Sequence, residues 1–267
     1  MVSTLTTWRL LEIETHNAFE NMAIDESILQ ARIRNLAPNT IRFYRWKPSA
    51  VSVGRFQDLE KEVQMKNCRV RGVDVVRRIT GGGTVYHDET DEITYSVVAR
   101  TDDLGTGDIN EVYDKIYSGL VEAVQILGVK ADFNRGNEKT CPNLTINGKK
   151  ISGSAQAYKK GVVLQHGTLL LKLDLNEMFT FLRVPWTANL TQVVDVAKKR
   201  HTSLEEQLHK NVNSGEAAEA LITGFEKALD IRLDSGKLTH FEKEFSSRLC
   251  SEKYRTDEWI ELGKSQL

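Results

Sequence analysis

The stretch that decides the fold is Arg77–Asp88, with the sequence RRITGGGTVYHD. It follows an apolar, β-branched run at residues 73–76 that predicts a strand. The consecutive glycines Gly81, Gly82 and Gly83 allow the backbone to turn through positive φ and to expose its N–H groups. Because two arginines precede these glycines and a His-Asp pair follows them, the stretch suits a phosphate or carboxylate. The alternative is a Gly-rich hairpin whose Arg and His side chains are solvated or structural.

The whole stretch closely resembles the R-R-x-S/T-G-G-G-x-V-x-H-D signature of lipoate–protein ligases, in the biotin/lipoate ligase superfamily. Further along the chain, residues 147–156 (NGKKISGSAQ) are similar to the G-K/R-K-x-S-G-x-A segment that carries the catalytic lysine of that family. Other segments resemble the family from Trp8 to about Asp174, and more loosely to the C-terminus.

The order of predicted elements indicates the fold class. Strand-like segments dominate the first two thirds of the chain with helices between them, which is an α+β pattern. The resemblance implies a mixed β-sheet flanked by helices, as in the biotin/lipoate ligase-like catalytic domain. We expect residues 1–267 to form a single catalytic domain with a helical C-terminal portion from about residue 203, and no separate accessory domain.

Composition excludes several classes of protein. The net charge of −1 provides no overall field for nucleic acid or for an anionic membrane. No apolar run approaches the length of a membrane-spanning helix, and the N-terminus lacks a secretory pattern. Cys68, Cys141 and Cys250 are far apart, without metal-ligand spacing, so we predict no metal site and a location in the reducing cytoplasm.

Local patterns predict three further features. Asn17 is placed to cap a helix. For Asp25 and Glu26 the alternatives are a functional role and a place in the first turn, where the helix dipole favours acidic residues, and we interpret them in the second way. The pair Asn147-Gly148 between apolar residues predicts a two-residue hairpin. Residues 174–201 are weakly patterned, and the resemblance places an adenylate-binding loop there.

The ligase resemblance implies an ATP-dependent reaction. Lipoate and ATP, with Mg²⁺ held by the triphosphate oxygens, would give lipoyl-AMP, and the acyl group would then pass to a lysine amine. Lys150 aligns with the catalytic lysine, whose ammonium would stabilise negative charge on the acyl carbonyl and the α-phosphate. The implied ATP and lipoyl-AMP contacts are Arg78, Thr80, Gly81, Gly82, Gly83, Val85, His87, Asn143 and Lys150. The implied acyl-site positions are Gln57, Gly153, Ser154 and Ala155.

A sister family offers a second interpretation. Three segments resemble the cysteine-dependent octanoyltransferases: residues 92–97, 153–156 and 160–167. Those enzymes take octanoate from an acyl carrier protein through a cysteine thioester and need no ATP. Cys141 would be the nucleophile here, with Lys149 or Lys150 favouring its thiolate, and the alternative is an ordinary free cysteine. Gly83 and Tyr86, by contrast, are ligase-like.

We therefore predict a lipoate–protein ligase that activates lipoate or octanoate, with the octanoyltransferase as the alternative and a non-catalytic acyl-binding paralogue as a third possibility. The implied acceptors are lipoyl domains of 2-oxoacid dehydrogenase E2 subunits or the glycine-cleavage H protein. Residues 253–259 form an ending that resembles archaeal ligases, so we expect adenylation to need a separate small accessory subunit.

Overall fold

The computed structural model describes residues 5–137, 141–265 and 267. The strands among these residues are β1 (Thr6–His16), β2 (Thr40–Trp46), β3 (Ala50–Val53), β4 (Asp74–Arg77), β5 (Val85–His87), β6 (Glu92–Arg100), β7 (Asp132–Asn134), β8 (Asn143–Ile146), β9 (Lys149–Lys159), β10 (Val162–Leu170) and β11 (Ile231–Ser235). The helices are α1 (Ala18–Ile33), α2 (Leu59–Glu62), α3 (Met65–Arg71), α4 (Ile109–Ile126), α5 (Leu175–Phe181), α6 (Leu190–Lys198), α7 (Leu204–Leu208), α8 (Ser214–Leu229), α9 (His240–Leu249) and α10 (Asp257–Leu262).

The strands form two sheets. The larger sheet has eight strands in the order β11-β1-β2-β6-β10-β9-β8-β7, and the smaller one has the order β4-β3-β5. β1 runs parallel to both β2 and β11, whereas β2, β6, β10, β9, β8 and β7 pair in antiparallel fashion. Mixed sheets flanked by helices confirm the predicted α+β class.

Two local predictions are confirmed by backbone geometry. The Asn17 side chain accepts a hydrogen bond from the backbone N–H of Glu20, and the Glu20 carboxylate reaches back to the Asn17 N–H. Asn147 and Gly148 have φ values of 51° and 75°. Both central residues of the turn are thus left-handed, as the tight hairpin between β8 and β9 requires.

The interpretation of Asp25 and Glu26 as first-turn residues is wrong. Because α1 begins at Ala18, both carboxylates lie near the middle of the helix, and both are buried. Asp25 accepts a hydrogen bond from Arg42 at 2.8 Å, and Glu26 contacts Lys253 at 2.8 Å. Since a buried carboxylate requires a charged partner, these residues tie α1 to β2 on one side and to the C-terminal segment on the other.

The weakly patterned residues 174–201 also contain regular structure. Asp174 caps α5 and Asn189 caps α6, in each case through side-chain acceptance of backbone N–H groups. Their buried faces are short, with Leu175 and Phe181 on α5 and Val194 on α6. Helices of seven and nine residues have too few turns for their periodicity to stand out in the sequence.

The largest hydrophobic cluster lies between the eight-stranded sheet and the helices α4 and α8. The two helices meet at Gly119 and Gly224. A Cβ atom at position 224 would lie 2.5 Å from the Gly119 carbonyl oxygen and 2.6 Å from the Ala123 backbone nitrogen. The absence of side chains at the crossing therefore sets how closely α4 approaches α8.

We predict that Gly224→Ala lowers the free energy of unfolding by about 1–2 kcal/mol, because overpacking against backbone atoms outweighs the gain in helix propensity. Gly107→Ala is the matched control, since a Cβ at position 107 meets no atom within 4 Å. Urea denaturation of both variants measures the difference. Equal stabilities for the two would contradict the packing argument.

Candidate active site

A cavity of about 320 Å³ lies between the Gly-rich loop and the hairpin of β8 and β9. Most of the residues that the sequence nominates line it: Arg78, Gly82, Gly83, Val85, His87, Cys141, Asn143, Lys150, Gly153, Ser154 and Ala155. The inner wall comes from strands of the large sheet and includes Tyr44, Trp46, Thr94 and His166. The fold thus brings the two sequence motifs to opposite sides of one cavity.

Arg78 is buried beside this cavity, and every N–H group of its guanidinium donates a hydrogen bond to a protein acceptor. Nη1 donates to the carbonyl and the hydroxyl of Ser52, each at 2.8 Å. Nη2 donates to the carbonyls of Gly81 and Gly83, each at 2.9 Å, and Nε donates to Thr80 Oγ1 at 3.3 Å. Burial lowers the pKa of Arg78 to about 10, so it remains a cation at neutral pH.

The Ser52 hydroxyl begins a chain of buried polar groups on one side of Arg78. Ser52 Oγ lies 2.7 Å from Nε2 of His87, and Nδ1 of His87 lies 2.7 Å from Oε1 of Glu92. Ser52 accepts from Arg78, and the His87 ring links the same hydroxyl to the Glu92 carboxylate. The His87 ring stacks on Trp46 at 3.9 Å between centroids.

A second chain of the same form begins at the Thr80 hydroxyl. Thr80 Oγ1 lies 2.7 Å from Nε2 of His166, and Nδ1 of His166 lies 2.9 Å from Oδ2 of Asp25. Burial lowers the pKa of His166, which keeps it neutral. Burial also acts to raise the pKa of Asp25, but the hydrogen bond from His166 and the charge of Arg42 outweigh it, and the net shift is downward.

These contacts bear on the predicted phosphate site. The resemblance nominated Arg78 and His87 as contacts for ATP or lipoyl-AMP. In the structure all five guanidinium donors of Arg78 and both ring nitrogens of His87 engage protein groups. The two side chains therefore organise the loop and the wall of the cavity, and their donors do not fit an added triphosphate.

Three nominated residues lie behind the cavity wall. Thr80 and Gly81 are held against Arg78, as described above. The Gln57 side chain accepts hydrogen bonds from the Gly54 N–H at 2.8 Å and from Thr84 Oγ1 at 2.9 Å. Gln57 thus links the turn after β3 to the Gly-rich loop. It does not line the cavity, whereas the resemblance places it in the acyl-site wall.

Lys150 extends from β9 towards the cavity, and Gly153 makes room for it. A Cβ atom at position 153 would lie 2.6 Å from Lys150 Nζ. The backbone of Lys150 is held on both sides, since its N–H donates to the Arg200 carbonyl at 2.7 Å and its carbonyl accepts from the Thr202 N–H at 2.9 Å. Burial lowers the pKa of Lys150, and the nearby charge of Arg78 acts in the same direction.

Cys141 lies two residues before β8, where it is exposed and borders the cavity. Its sulfur is close enough to Lys150 and Arg78 for a thiolate to act electrostatically on both, which opposes the fall in the pKa of Lys150. Two basic side chains thus border the same cavity as one exposed thiol. The arrangement can therefore generate a nucleophile at the mouth of a buried cavity.

Sequence reasoning did not single out His166, Asp25 or Ser52 as site residues. His166 lies in the stretch 160–167 that was noted only for its resemblance, and Asp25 was assigned to the helix dipole. No local pattern links these residues, because they lie on a helix, α1, and on β10 and β3, which belong to different sheets and come together only in the tertiary structure.

Comparison with known proteins identifies the class to which this fold and site belong. The model of the lipoyl protein ligase A/B catalytic domain matches residues 17–226, and the chain belongs to that family. This confirms the predicted superfamily.

Particular relatives refine the class. The octanoyltransferase LipM of Symbiobacterium thermophilum is 36% identical over 95% of this chain and 98% of its own length. The LipM of Kyrpidia tusciae is 37% identical over 96% and 98%. A solved bi-partite lipoate protein ligase from Thermoplasma acidophilum has a TM-score of 0.83 at 30% identity, with 96% of each chain covered.

The prediction of an ATP-dependent lipoate–protein ligase is wrong. The full-length relatives at 36–37% identity are octanoyltransferases, and ATP and Mg²⁺ have no support from them. The ligase prediction rested on the resemblance of residues 77–88 and 147–156, and Gly83 and Tyr86 favoured it over the transferase. Solved lipoate ligases share this fold.

The part of the chain that the structure describes shows neither a metal-ligating cluster nor a membrane-spanning helix. Within residues 5–137, 141–265 and 267, no three His, Cys, Asp or Glu side chains are grouped so that they could hold a metal ion. Among the helices of the same part of the chain, none has the length and apolar character needed to span a membrane.

We predict that the unfolding free energy falls as the pH drops below 6.5, the ordinary pKa of histidine. Unfolded His166 takes up a proton there, whereas the folded residue, with its lowered pKa, does not, so the unfolded state binds more protons.

His166→Gln should reduce the slope of the unfolding free energy against pH by up to about 1.4 kcal/mol per pH unit. His240→Gln, at an exposed position, is the control. Denaturation between pH 5 and 8 measures both slopes, and an unchanged slope in His166→Gln would refute the assignment.

Proposed function

We propose that this protein is an octanoyltransferase that forms a thioester on Cys141 and passes the acyl group to a lysine of a lipoyl domain or H protein. The observation that carries the proposal is the position of Cys141 at the mouth of the cavity, within electrostatic reach of Lys150 and Arg78. The names of the full-length relatives support the same reaction.

In the first step the Cys141 thiolate attacks the carbonyl carbon of an octanoyl thioester on an acyl carrier protein. A carbon–sulfur bond forms to Cys141, the bond to the carrier breaks, and the carrier thiolate leaves and takes up a proton. The Lys150 ammonium stabilises both the Cys141 thiolate and the negative charge that develops on the acyl oxygen. Because a thioester is already activated, this step needs no ATP.

In the second step the neutral amine of the acceptor lysine attacks the Cys141 thioester. The amide bond forms, the Cys141 thiolate leaves, and the amine loses one proton. The lowered pKa of Lys150 makes its ammonium easier to deprotonate than that of an ordinary lysine, so Lys150 is the nearby group that can take part in this proton transfer. The cavity behind Cys141 would hold the octanoyl chain against Trp46 and Tyr44 throughout.

Cys141→Ala should abolish transfer, because the variant cannot form the thioester. The assay incubates the protein with octanoyl carrier protein and an apo lipoyl domain, without ATP, and measures the intact mass of both proteins. Cys250→Ala is the matched control, since Cys250 is half-buried, accepts a hydrogen bond from Arg255 and does not line the cavity.

Three outcomes of that assay are decisive. An octanoyl adduct on the enzyme that disappears in Cys141→Ala supports the proposal. Full transfer by Cys141→Ala would refute it. Acyl binding without transfer from any donor would instead favour the non-catalytic paralogue.

Lys150→Ala should lower the transfer rate by about 10²–10³-fold, the usual result of removing one preorganised charge from a transition state. Lys149→Ala is its neighbour control, because Lys149 pairs with Glu206 at 3.0 Å and does not line the cavity. Single-turnover kinetics of Cys141 acylation distinguish the two variants. Equal rates for Lys149→Ala and Lys150→Ala would remove Lys150 from the mechanism.

The proposal also defines partners and location. An octanoyl carrier protein is the donor, and a lipoyl domain or H protein is the acceptor. Adenylation was the reason for expecting an accessory subunit, and thioester transfer does not require one, although the neighbour from Thermoplasma acidophilum is bi-partite. A reducing cytoplasm suits the chemistry because it keeps Cys141 as a free thiol.

A further inference from the structure

The hydroxyl of Tyr117 connects a helix to the segment that carries Cys141. Tyr117 Oη donates a hydrogen bond to the Pro142 carbonyl at 3.0 Å and accepts one from Ser154 Oγ at 2.8 Å. Both bonds run in one direction, from β9 through the phenol to the carbonyl of Pro142, the residue that follows Cys141. The phenol belongs to α4 and is hydrogen-bonded to Ser154 of β9, so the hydroxyl is itself held in place.

The rest of Tyr117 is firmly packed. Its side chain is fully buried on α4, and its ring stacks on Phe133 at 4.3 Å between centroids. Two residues further along the same helix, Gly119 packs directly against Phe225 of α8. Burial raises the pKa of Tyr117 well above its ordinary value, so the hydroxyl retains its proton at neutral pH.

A second contact holds the same part of the chain. The Asn143 side chain donates from Nδ2 to the carbonyl of Cys141 at 3.0 Å. The two carbonyls that follow the Cys141 Cα are thus each engaged, one by Asn143 and the next, that of Pro142, by Tyr117. These bonds define the direction in which the chain leaves Cys141, and hence limit where its sulfur can lie.

We propose that Tyr117 is a positioning residue that holds Cys141 beside Lys150 through the Pro142 carbonyl. This inference rests on the proposed function, in which Cys141 is the nucleophile. An exposed nucleophile on a loop loses rate when it samples many orientations, because attack requires the reacting atoms to be aligned at about 3–3.5 Å. A hydrogen bond from a packed helix restricts that sampling, as supporting contacts do in other active sites.

Tyr117→Phe tests the inference, since it removes the hydroxyl and keeps the ring that stacks on Phe133. We expect the rate of Cys141 acylation by octanoyl carrier protein to fall about 3- to 10-fold, the effect of losing one neutral hydrogen bond. The KM for the carrier should stay unchanged. Alkylation of Cys141 by iodoacetamide should also stay within twofold, because a small, freely diffusing reagent needs no fixed orientation of the sulfur.

Matched variants keep the test specific. Tyr158→Phe removes the hydroxyl of an exposed tyrosine on β9 that does not line the cavity, and it should retain the full acylation rate. Ser154→Ala removes the donor to Tyr117 and should lower the rate in the same direction as Tyr117→Phe. Thermal denaturation of all three variants shows whether each is folded. If Tyr117→Phe is not folded, Ser154→Ala replaces it as the test variant.

The outcomes separate this inference from the proposed function. An unchanged acylation rate in folded Tyr117→Phe, an equal fall in Tyr158→Phe, or a change in KM alone would overturn the positioning role. If Tyr117→Phe does not fold, an unchanged rate in Ser154→Ala would do the same. Full transfer activity in Cys141→Ala would overturn the proposed function itself. A slower acylation in Tyr117→Phe with unchanged alkylation supports Tyr117 as the positioning residue.

Discussion

The site depends on one buried cation, the guanidinium of Arg78. A charge removed from water is tolerated only when its donors are paired, and Arg78 satisfies this with five protein acceptors. Two of the acceptors are carbonyls of the Gly-rich loop, Gly81 and Gly83. The backbone must bend inward to present them, and Gly82 between them adopts a φ of 85°. The glycines are therefore required by an internal hydrogen-bond pattern as well as by access to the cavity.

The acceptors of Arg78 are in turn supported by two buried carboxylates. Ser52 leads through His87 to Glu92, and Thr80 leads through a second histidine to Asp25. The two imidazole rings link each hydroxyl to a buried carboxylate, so the acceptors of Arg78 are themselves held in place. Lys150 and Cys141 line the same cavity outside these two chains.

The neighbouring Arg77 supports the same site from the opposite side. Its guanidinium donates to the carbonyls of Trp259, Ile260 and Glu261 at the end of α10, and to the carbonyl of Gln57 in the turn after β3. The indole N–H of Trp259 returns a hydrogen bond to the Arg77 carbonyl at 2.8 Å. Adjacent residues of an extended chain point to opposite faces, so the two arginines join the C-terminal helix to the cavity through a single strand.

The sequence by itself determined the α+β class, the superfamily, the tight hairpin and the two motifs that border the cavity, because glycine conformations and strand patterns are local properties. It also nominated Lys150 and Cys141. Only the tertiary structure decided that Arg78 and His87 are internally engaged, that Asp25 and His166 belong to the site, and that Tyr117 contacts the segment that carries Cys141. These facts depend on how β3, β10, α1 and α4 pack against one another, and no period or motif in a single chain encodes which distant residues the tertiary structure brings together.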